Sequence, residues 1–285
     1  MVSRKTTLKQ YYQIDVTTIH QNYFLFQNQY FYITDRKIEP IINKIYSQYI
    51  QQFNIEPFQR IKNNYGSEIS NGYQVYLCPS STLHLNDYLQ KALKLSFQEG
   101  IKVKELKNSW IKKVDLVKTK ISKHAQRVDY NEHYVVCLYY YIGLFETAIQ
   151  LLNLVENEIL PKAIQHIDIT IEQSFINPYN LIMHSRVYDV VHCYKKGLID
   201  ITTIKNFMDK GVYSNIELIV IYAYQFYHEK LFNFVLAQEE NKNPIQNEMV
   251  SYYQHIPIYK KQLLDLEKLL KNKVKLPIIN WLDKL

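Results

Sequence analysis

The stretch LPKAIQHIDITIEQSFINPYNLIMHSRVYDVV, residues 160–191, decides how the rest of the chain is interpreted. From Pro161 to Met183 it contains two prolines and alternating isoleucines in HIDITI, and it shows no apolar repeat every 3.6 residues. This pattern predicts a loop and a short strand instead of a helix. His166 and Asp168 lie inside the irregular segment, and polar residues on such loops are candidates for chemistry.

The rest of the chain beyond residue 86 favours helices, because apolar side chains recur there at spacings of three and four residues. The predicted helices are 86–98, 104–126, 131–158, 187–196, 201–210, 214–238 with a break inside it, and 247–272. A largely helical region surrounding one irregular His-x-Asp loop is therefore expected.

The first 80 residues have a different pattern. The run YFLFQNQYFYIT, residues 23–34, predicts two aromatic strands joined by a polar turn. Residues 37–53 place isoleucines and tyrosines on one face of a helix, and a second strand pair is predicted at 58–66 and 72–78. The order is strand, strand, helix, strand, strand.

A break in pattern follows at PSSTLHLND, residues 79–87, where a proline and small polar residues interrupt the periodic segments. We therefore predict an N-terminal small sheet-plus-helix lobe, residues 1–80, and a C-terminal helical lobe, residues 81–285. The fold class is α+β with two lobes.

Composition is that of a soluble globular protein, with 285 residues, 47% hydrophobic and 21% charged. The most apolar stretch, YVVCLYYYIGLF at 134–145, is shorter than the roughly 20 residues that span a bilayer. The N-terminal MVSRKTTLKQYYQ is basic but is not followed by the apolar core of a secretory signal. We expect a cytoplasmic protein that is not inserted in a membrane.

The net charge of +7 and the pI of about 9.0 raise the alternative of a nucleic-acid partner. However, the lysines are dispersed, and the densest basic stretch, residues 101–127, also contains acids and an apolar stripe. A solvated helix face explains it better than a phosphate-binding patch. Most of the 26 tyrosines fall at helical spacings that favour core packing over base stacking.

Metal and nucleophile sites have little support in the sequence. The three cysteines, Cys78, Cys137 and Cys193, lie far apart in apolar surroundings, which predicts buried thiols. The nine histidines form no HExxH pattern, and no G-x-S-x-G elbow is present. No metal site is predicted from these residues.

Four segments, in their order along the chain, look like the spore-coat family of the CotS and YutH type. They are YYYIGLFETAIQLL (139–152), LPKAIQHIDIT (160–170), NPYNLIMHSRVYDVV (177–191) and IELIVIYAYQFYHEKLFNFV (216–235). That family has a fold similar to aminoglycoside phosphotransferases and choline kinases. The resemblance implies a bilobal, protein-kinase-like fold with a small N-lobe and a large helical C-lobe.

The resemblance also assigns roles to residues. In the active phosphotransferases that this loop resembles, a His-Gly-Asp carries the catalytic Asp, so Asp168 falls at the catalytic position and His166 at the loop-anchoring one. Gln173 stands where active members have a magnesium-binding Asn, and Asn177 stands where they have a magnesium-binding Asp. Asp189 resembles an Asp that follows the metal-binding turn in these phosphotransferases and opens the next helix, and we interpret it as a structural carboxylate.

These substitutions predict a degenerate site. Gln173 is one methylene longer than the Asn of active members and is poorly suited to the octahedral geometry of Mg²⁺, and the amide of Asn177 binds Mg²⁺ less strongly than a carboxylate. The turn at 27–29, QNQ, has no glycine that would let backbone amides close on phosphates. By the same resemblance, Lys37 lies close to the position of a strand lysine that pairs with a helix acid, but we interpret it as a solvated residue at a helix start.

The prediction is a spore-coat-associated pseudokinase of bacterial origin that functions by binding or assembly. It would need no cofactor, its partners would be other spore-coat proteins, and it would be deposited from the cytoplasm onto the spore coat. The first alternative is an active small-molecule phosphotransferase that uses ATP and Mg²⁺ with Asp168 as catalytic base. The second is a basic nucleic-acid-binding protein, which the dispersed charge disfavours.

Overall fold

The computed structural model describes residues 3–20, 22–38, 40–80, 84–92, 97–125, 132–169, 172–237 and 246–277. The chain forms two compact units. The first unit comprises Met1–Leu95 and Ala163–His184, and the second comprises Ser96–Lys162 and Ser185–Leu285. The first unit thus includes residues 163–184 as well as the N-terminal residues. We call residues 163–184, which contain His166 and Asp168, the His-x-Asp segment. The lobe boundary between residues 80 and 81 stays a prediction.

The elements alternate between small sheets and helices, as the α+β prediction requires. Up to residue 92 they are α1 (Arg4–Tyr12), β1 (Tyr23–Phe26), β2 (Gln29–Thr34), α2 (Pro40–Phe53), β3 (Gln59–Ile61), β4 (Gln74–Leu77) and α3 (Leu85–Ala92). They continue with β5 (Phe97–Lys102), α4 (Val103–Ala125), α5 (Glu132–Asn153), β6 (Ile159–His166), 3₁₀ turns at Glu172–Phe175 and Pro178–Asn180, and β7 (Leu181–Ser185). The last are α6 (Tyr188–Lys195), α7 (Ile201–Asp209), α8 (Asn215–Phe226), α9 (Glu229–Ala237) and α10 (Gln246–Leu270).

The sheet of the first unit is antiparallel, in the order β1-β2-β4-β3. The predicted hairpin at 23–34 is confirmed, with Phe26 paired to Gln29. Its two loop residues, Gln27 and Asn28, have φ of 49° and 62°. Positive φ at both loop positions is typical of a type I′ turn, whose twist matches that of the flanking strands.

The two faces of this sheet differ in chemistry, because successive side chains of a strand point to opposite faces. One face is mainly apolar, with Phe24, Phe31 and Val75 in one buried cluster with Leu8 of α1. The other face presents tyrosines that pack against the His-x-Asp segment. The buried cluster between them contains Ile176 and Tyr179 of the segment and five residues of the sheet and its flanks, namely Tyr23, Tyr32, Phe58, Tyr76 and Cys78. We call these seven residues the tyrosine cluster.

The core of the second unit is built around α5, which lies against α4, α8 and α10. Residues 135–153 are long and apolar enough to cross a membrane by length and composition, and 56% of that window is buried inside the protein. Leu138, Leu144 and Phe145 are fully buried. These contacts are those of a core helix in a globular unit.

One prediction of local structure is wrong, and one helix was not predicted. The helix predicted at 86–98 ends at Ala92, and β5 begins at Phe97 and pairs antiparallel with β6. Pairing with a distant strand outweighs local helical preference there. The helix α1 was not predicted, since few of its side chains are apolar; Ser3 caps it by accepting a hydrogen bond from the backbone N–H of Thr6. The predicted break inside 214–238 is confirmed between α8 and α9.

Candidate functional site in the His-x-Asp segment

His166 ends strand β6 and is fully buried. Its Nε2 donates a hydrogen bond to the carbonyl oxygen of Phe175 at 3.0 Å. The rings of Tyr88, Phe175 and Tyr49 lie edge-on to the imidazole, with centroids 5.0, 5.5 and 6.3 Å away. The side chain therefore joins the start of the segment to its first 3₁₀ turn, inside an aromatic enclosure.

The backbone of Asp168 is held by Asn180. The Asp168 N–H donates to Oδ1 of Asn180 at 3.0 Å, and Nδ2 of Asn180 donates to the Asp168 carbonyl at 2.6 Å. The same Nδ2 also donates to the carbonyl of Ser174 at 2.8 Å. One amide thus fixes the backbone on both sides of the loop and leaves the Asp168 side chain partly exposed.

Sequence reasoning missed Asn180. The resemblance placed a metal-binding amide at Gln173, whose side chain lies outside the described residues. Among the described side chains, the amide of Asn180, twelve residues after Asp168, bonds the Asp168 backbone. The available signal was an Asn immediately before a strand, in the turn-forming sequence NPYN.

Asn177 is almost completely buried, with 1% of its surface exposed. Its Oδ1 accepts a hydrogen bond from the backbone N–H of Tyr179 at 3.0 Å, which caps the second 3₁₀ turn. Its Nδ2 donates to the hydroxyl of Tyr23 on the sheet at 2.6 Å. Both polar ends of this amide are therefore bonded within the protein.

The segment and the sheet are joined by further tyrosines. The ring of Tyr179 stacks on Tyr32 at a centroid distance of 5.6 Å and an angle of 25°. Its hydroxyl is hydrogen-bonded to the hydroxyl of Tyr76 at 2.5 Å. On α2, Tyr46 and Tyr49 donate to the backbone carbonyls of Ile176 at 2.8 Å and Phe175 at 2.7 Å. Burial raises the pKa of Tyr46 to about 12, so this hydroxyl stays protonated and donates.

A cavity of about 260 Å³ remains beside Asp168. It is lined by Asn22, Tyr23, Tyr32, Arg36, Ile167, Asp168, Ser174, Asn177, Tyr179 and Asn180. Ligand cavities usually measure about 300–1,000 Å³, so this one is small. Among these lining residues, Asp168 is the one acid and Arg36 the one base. Within the described parts of the chain, no group of three His, Cys, Asp or Glu residues is arranged to hold a metal ion.

The other predicted site residues lie elsewhere or are not described. The side chain of Gln173 falls outside the described residues, although its backbone belongs to the first 3₁₀ turn. Lys37 is exposed just after β2. Asp189 is buried in the first turn of α6, with 1% of its surface exposed, and belongs to the second compact unit, whereas Asp168 belongs to the first.

All three cysteines are free and buried, as predicted. Burial raises the pKa of Cys137 to about 11 and that of Cys78 to about 12. The thiols are therefore protonated and poorly nucleophilic at neutral pH.

Comparison with known proteins identifies the fold of the chain. No protein-family model matches the chain, and no curated protein matches it. Among solved structures, an aminoglycoside phosphotransferase from Alicyclobacillus acidocaldarius is similar with a TM-score of 0.51, 12% identity, and coverage of 95% of this chain and 97% of that one. A spectinomycin phosphotransferase solved with ADP and spectinomycin has a TM-score of 0.55, 13% identity, and coverage of 92% and 96%. The chain has the aminoglycoside phosphotransferase-like kinase fold.

Proposed function

We propose that this kinase-fold chain is a pseudokinase, which functions by binding or assembly without efficient phosphoryl transfer. The observation that supports this most is the use of Asn177, which caps a turn and bonds Tyr23 with the two ends of its amide. A residue in that arrangement serves the packing of the segment against the sheet. The tyrosine cluster occupies the same face of the sheet.

Electrostatics supports the same conclusion. Phosphoryl transfer depends on positioning and on neutralising the charge of the phosphates, usually with carboxylate-bound Mg²⁺. The described lining of the small cavity offers one carboxylate, Asp168, and one guanidinium, Arg36. Loss of one preorganised electrostatic group typically costs about 10²- to 10³-fold in rate. A site built on these groups would be a poor phosphotransferase.

Thermal unfolding with and without nucleotide tests the proposal, because a ligand that binds only the native state raises the melting temperature. We expect millimolar ATP with Mg²⁺ to leave the melting temperature of the wild type and of Asp168→Asn equally unchanged. Stabilisation of the wild type that disappears in Asp168→Asn would contradict the proposal and favour an enzyme.

The enzyme alternative is a small-molecule phosphotransferase with Asp168 as catalytic base and ATP and Mg²⁺ as cofactors. It is favoured by the position of Asp168 at the edge of a cavity, on a loop that Asn180 holds in place. Both similar solved structures are phosphotransferases, and one of them was solved with ADP. Magnesium-dependent ATP turnover with a hydroxyl-bearing acceptor, lost in Asp168→Asn, would establish it.

The proposed place of action is the coat of a bacterial spore, in contact with other coat proteins. Support comes from the sequence segments that resemble the CotS and YutH type of spore-coat proteins. A fluorescent fusion followed through sporulation is expected to move from the cytoplasm to the spore surface. A fusion that stays in the vegetative cytosol and is absent from purified spores would refute this location.

A further inference from the structure

We propose that the second compact unit contains a separate binding site for a small organic monoanion, namely a carboxylate attached to an apolar or aromatic group. The site is a cavity of about 310 Å³ lined by residues of α5, α6, α9 and α10 and of the break before α9. It shares no lining residue with the cavity beside Asp168. Its volume is within the usual range for ligand cavities.

The wall of this cavity suits an apolar or aromatic group. Its lining includes the aromatic residues Tyr141, Tyr252 and Tyr259 and the aliphatic residues Leu231 and Ile258. Rings of this kind bury apolar ligand surface and favour edge-on or offset contact with another ring. The apolar part of the ligand would be held by these side chains.

Lys195 supplies the positive charge. It is partly buried, and its ammonium donates a hydrogen bond to the carbonyl oxygen of Tyr227. It forms no ion pair within the described residues, because the acid that also lines the cavity, Glu229, is bonded to Lys113 at 2.9 Å and to the hydroxyl of Tyr188 at 3.3 Å. An ammonium has three donors, so Lys195 can donate further hydrogen bonds to an anion.

His228 supplies a neutral polar group beside that charge. It lies in the break between α8 and α9, with its ring edge-on to Tyr259 at 4.2 Å and to Tyr141 at 4.7 Å. Its Nε2 is buried and has no hydrogen-bond partner among the described residues. Buried polar atoms are rarely left unpaired, which indicates that a ligand atom would complete this one.

The charge of the cavity fits one negative charge better than two. Burial lowers the pKa of His228 well below its usual value and that of His192 to about 4, so both imidazoles are neutral near pH 7. Lys196 and Lys230 are exposed, and Glu229 is already paired. The partly buried cavity therefore offers one ammonium, from Lys195, to one carboxylate.

Binding should depend on pH. Burial lowers the pKa of Lys195 to about 7, with Glu229 opposing the shift, and only the protonated amine attracts an anion. The other titratable groups that line the cavity are Glu229, two lysines, three histidines and four tyrosines. They are Lys196, Lys230, His192, His228, His255, Tyr141, Tyr227, Tyr252 and Tyr259. We expect affinity to rise as the pH falls from above neutral to just below it.

Calorimetric titration just below neutral pH tests the proposal with phenylacetate and octanoate, and with phenylacetamide as the neutral control. Wild type is expected to bind the two carboxylates and not the amide. Lys195→Met should weaken binding roughly tenfold or more, because a charge-assisted hydrogen bond is lost. Lys261→Met is the matched control on α10, since Lys261 is exposed and does not line the cavity.

Lys195→Met should fold, because methionine replaces a partly buried charge with an apolar side chain of similar length; circular dichroism checks this. The site is refuted if neither carboxylate binds the wild type, if the amide binds equally well, or if Lys195→Met binds as the wild type does. Tighter binding of inorganic phosphate than of phenylacetate would also refute it. None of these outcomes depends on whether ATP binds near Asp168.

Discussion

At the scale of single residues, Asn177 shows how a side chain at a metal-ligand position can serve packing instead. Its amide joins a 3₁₀ turn to a tyrosine 154 residues away along the chain. A hydrogen bond contributes only about 1 kcal/mol net, but a buried group left without its partner costs about 1–3 kcal/mol. The amide is therefore more important to stability than its size suggests.

Asn177→Ala should lower the free energy of unfolding by about 1–3 kcal/mol, since Tyr23 would lose its buried partner and the 3₁₀ turn its cap. Urea denaturation measures this change. Asn43→Ala, at an exposed position on α2, is the control and should change stability by less than about 0.5 kcal/mol. Equal effects of the two substitutions would show that the amide of Asn177 contributes no more than an exposed one.

Sequence reasoning located the irregular segment and its two notable residues because both signals are local. His166 and Asp168 are two positions apart, and the loss of helical periodicity is visible nearby. The contacts that determine the shape of the site are not local. Asn180 reaches back twelve residues to Asp168, and Tyr179 bonds Tyr76, which is 103 residues away. Such pairings follow from the fold and leave no periodic pattern.

At the scale of elements, the start of α8 combines two stabilising features. Ser214 and Glu217 form a capping box, in which each side chain bonds the backbone N–H of the other residue. Glu217, with 1% of its surface exposed, also accepts hydrogen bonds from Nε and Nη2 of Arg186 at 2.5 and 2.7 Å. The carboxylate thus links the helix start to the residue just after β7, and it raises the pKa of Arg186.

Glu217→Gln should destabilise the second unit by about 3 kcal/mol, toward the low end of the range for breaking a buried ion pair, because Arg186 keeps some exposure. The amide has one acceptor oxygen where the carboxylate has two. Chemical denaturation gives the value. Glu146→Gln removes an exposed pair with Lys118 and should cost at most about 1 kcal/mol. A similar loss in both variants would disprove the role of burial.

The type of an element was predicted correctly where its sequence pattern is regular. The prediction failed where the element depends on pairing with a strand far away in the sequence. The hairpin at β1 and β2 has alternating aromatics and a turn of residues that tolerate positive φ, so its local signal is strong. Strand β5 is stabilised by pairing with β6, in which Lys102 lies opposite Ile159, 57 residues further along the chain. Its own residues, FQEGIK, give no such signal.

At the scale of the whole molecule, burial shifts the pKa of several titratable groups in the direction that favours their neutral forms. Burial lowers the pKa of His192 to about 4 and that of Lys195 to about 7. Burial also raises the pKa of many tyrosines, Tyr140 to about 12 among them. In each case the unfolded chain exposes a group with a more ordinary pKa, and stability then depends on pH through the difference in bound protons.

Stability should therefore fall in acid and in strong alkali. Between pH 6.5 and about 4 the unfolded state binds the proton that His192 does not, so stability decreases as the pH falls through this window. Between about pH 7 and 10.5 the same reasoning for Lys195 makes stability rise with pH. Above about pH 10 the unfolded tyrosines ionise first, and stability decreases again.

Urea denaturation across this pH range measures the profile. Each group contributes a slope of up to about 1.4 kcal/mol per pH unit within its window. His192→Phe should flatten the acid slope, whereas His20→Phe, at an exposed position, should not. An acid slope that is identical in the two variants would exclude His192 as its source.

The three buried thiols provide each compact unit with an internal reporter. Cys78 belongs to the first unit and to the tyrosine cluster, while Cys137 and Cys193 belong to the second. A thiol that is buried and protonated reacts with alkylating reagents only when its surroundings open, so its labelling rate measures local opening. Mass spectrometry of alkylated peptides can thus follow the opening of the two units separately in the native chain, without introduced probes.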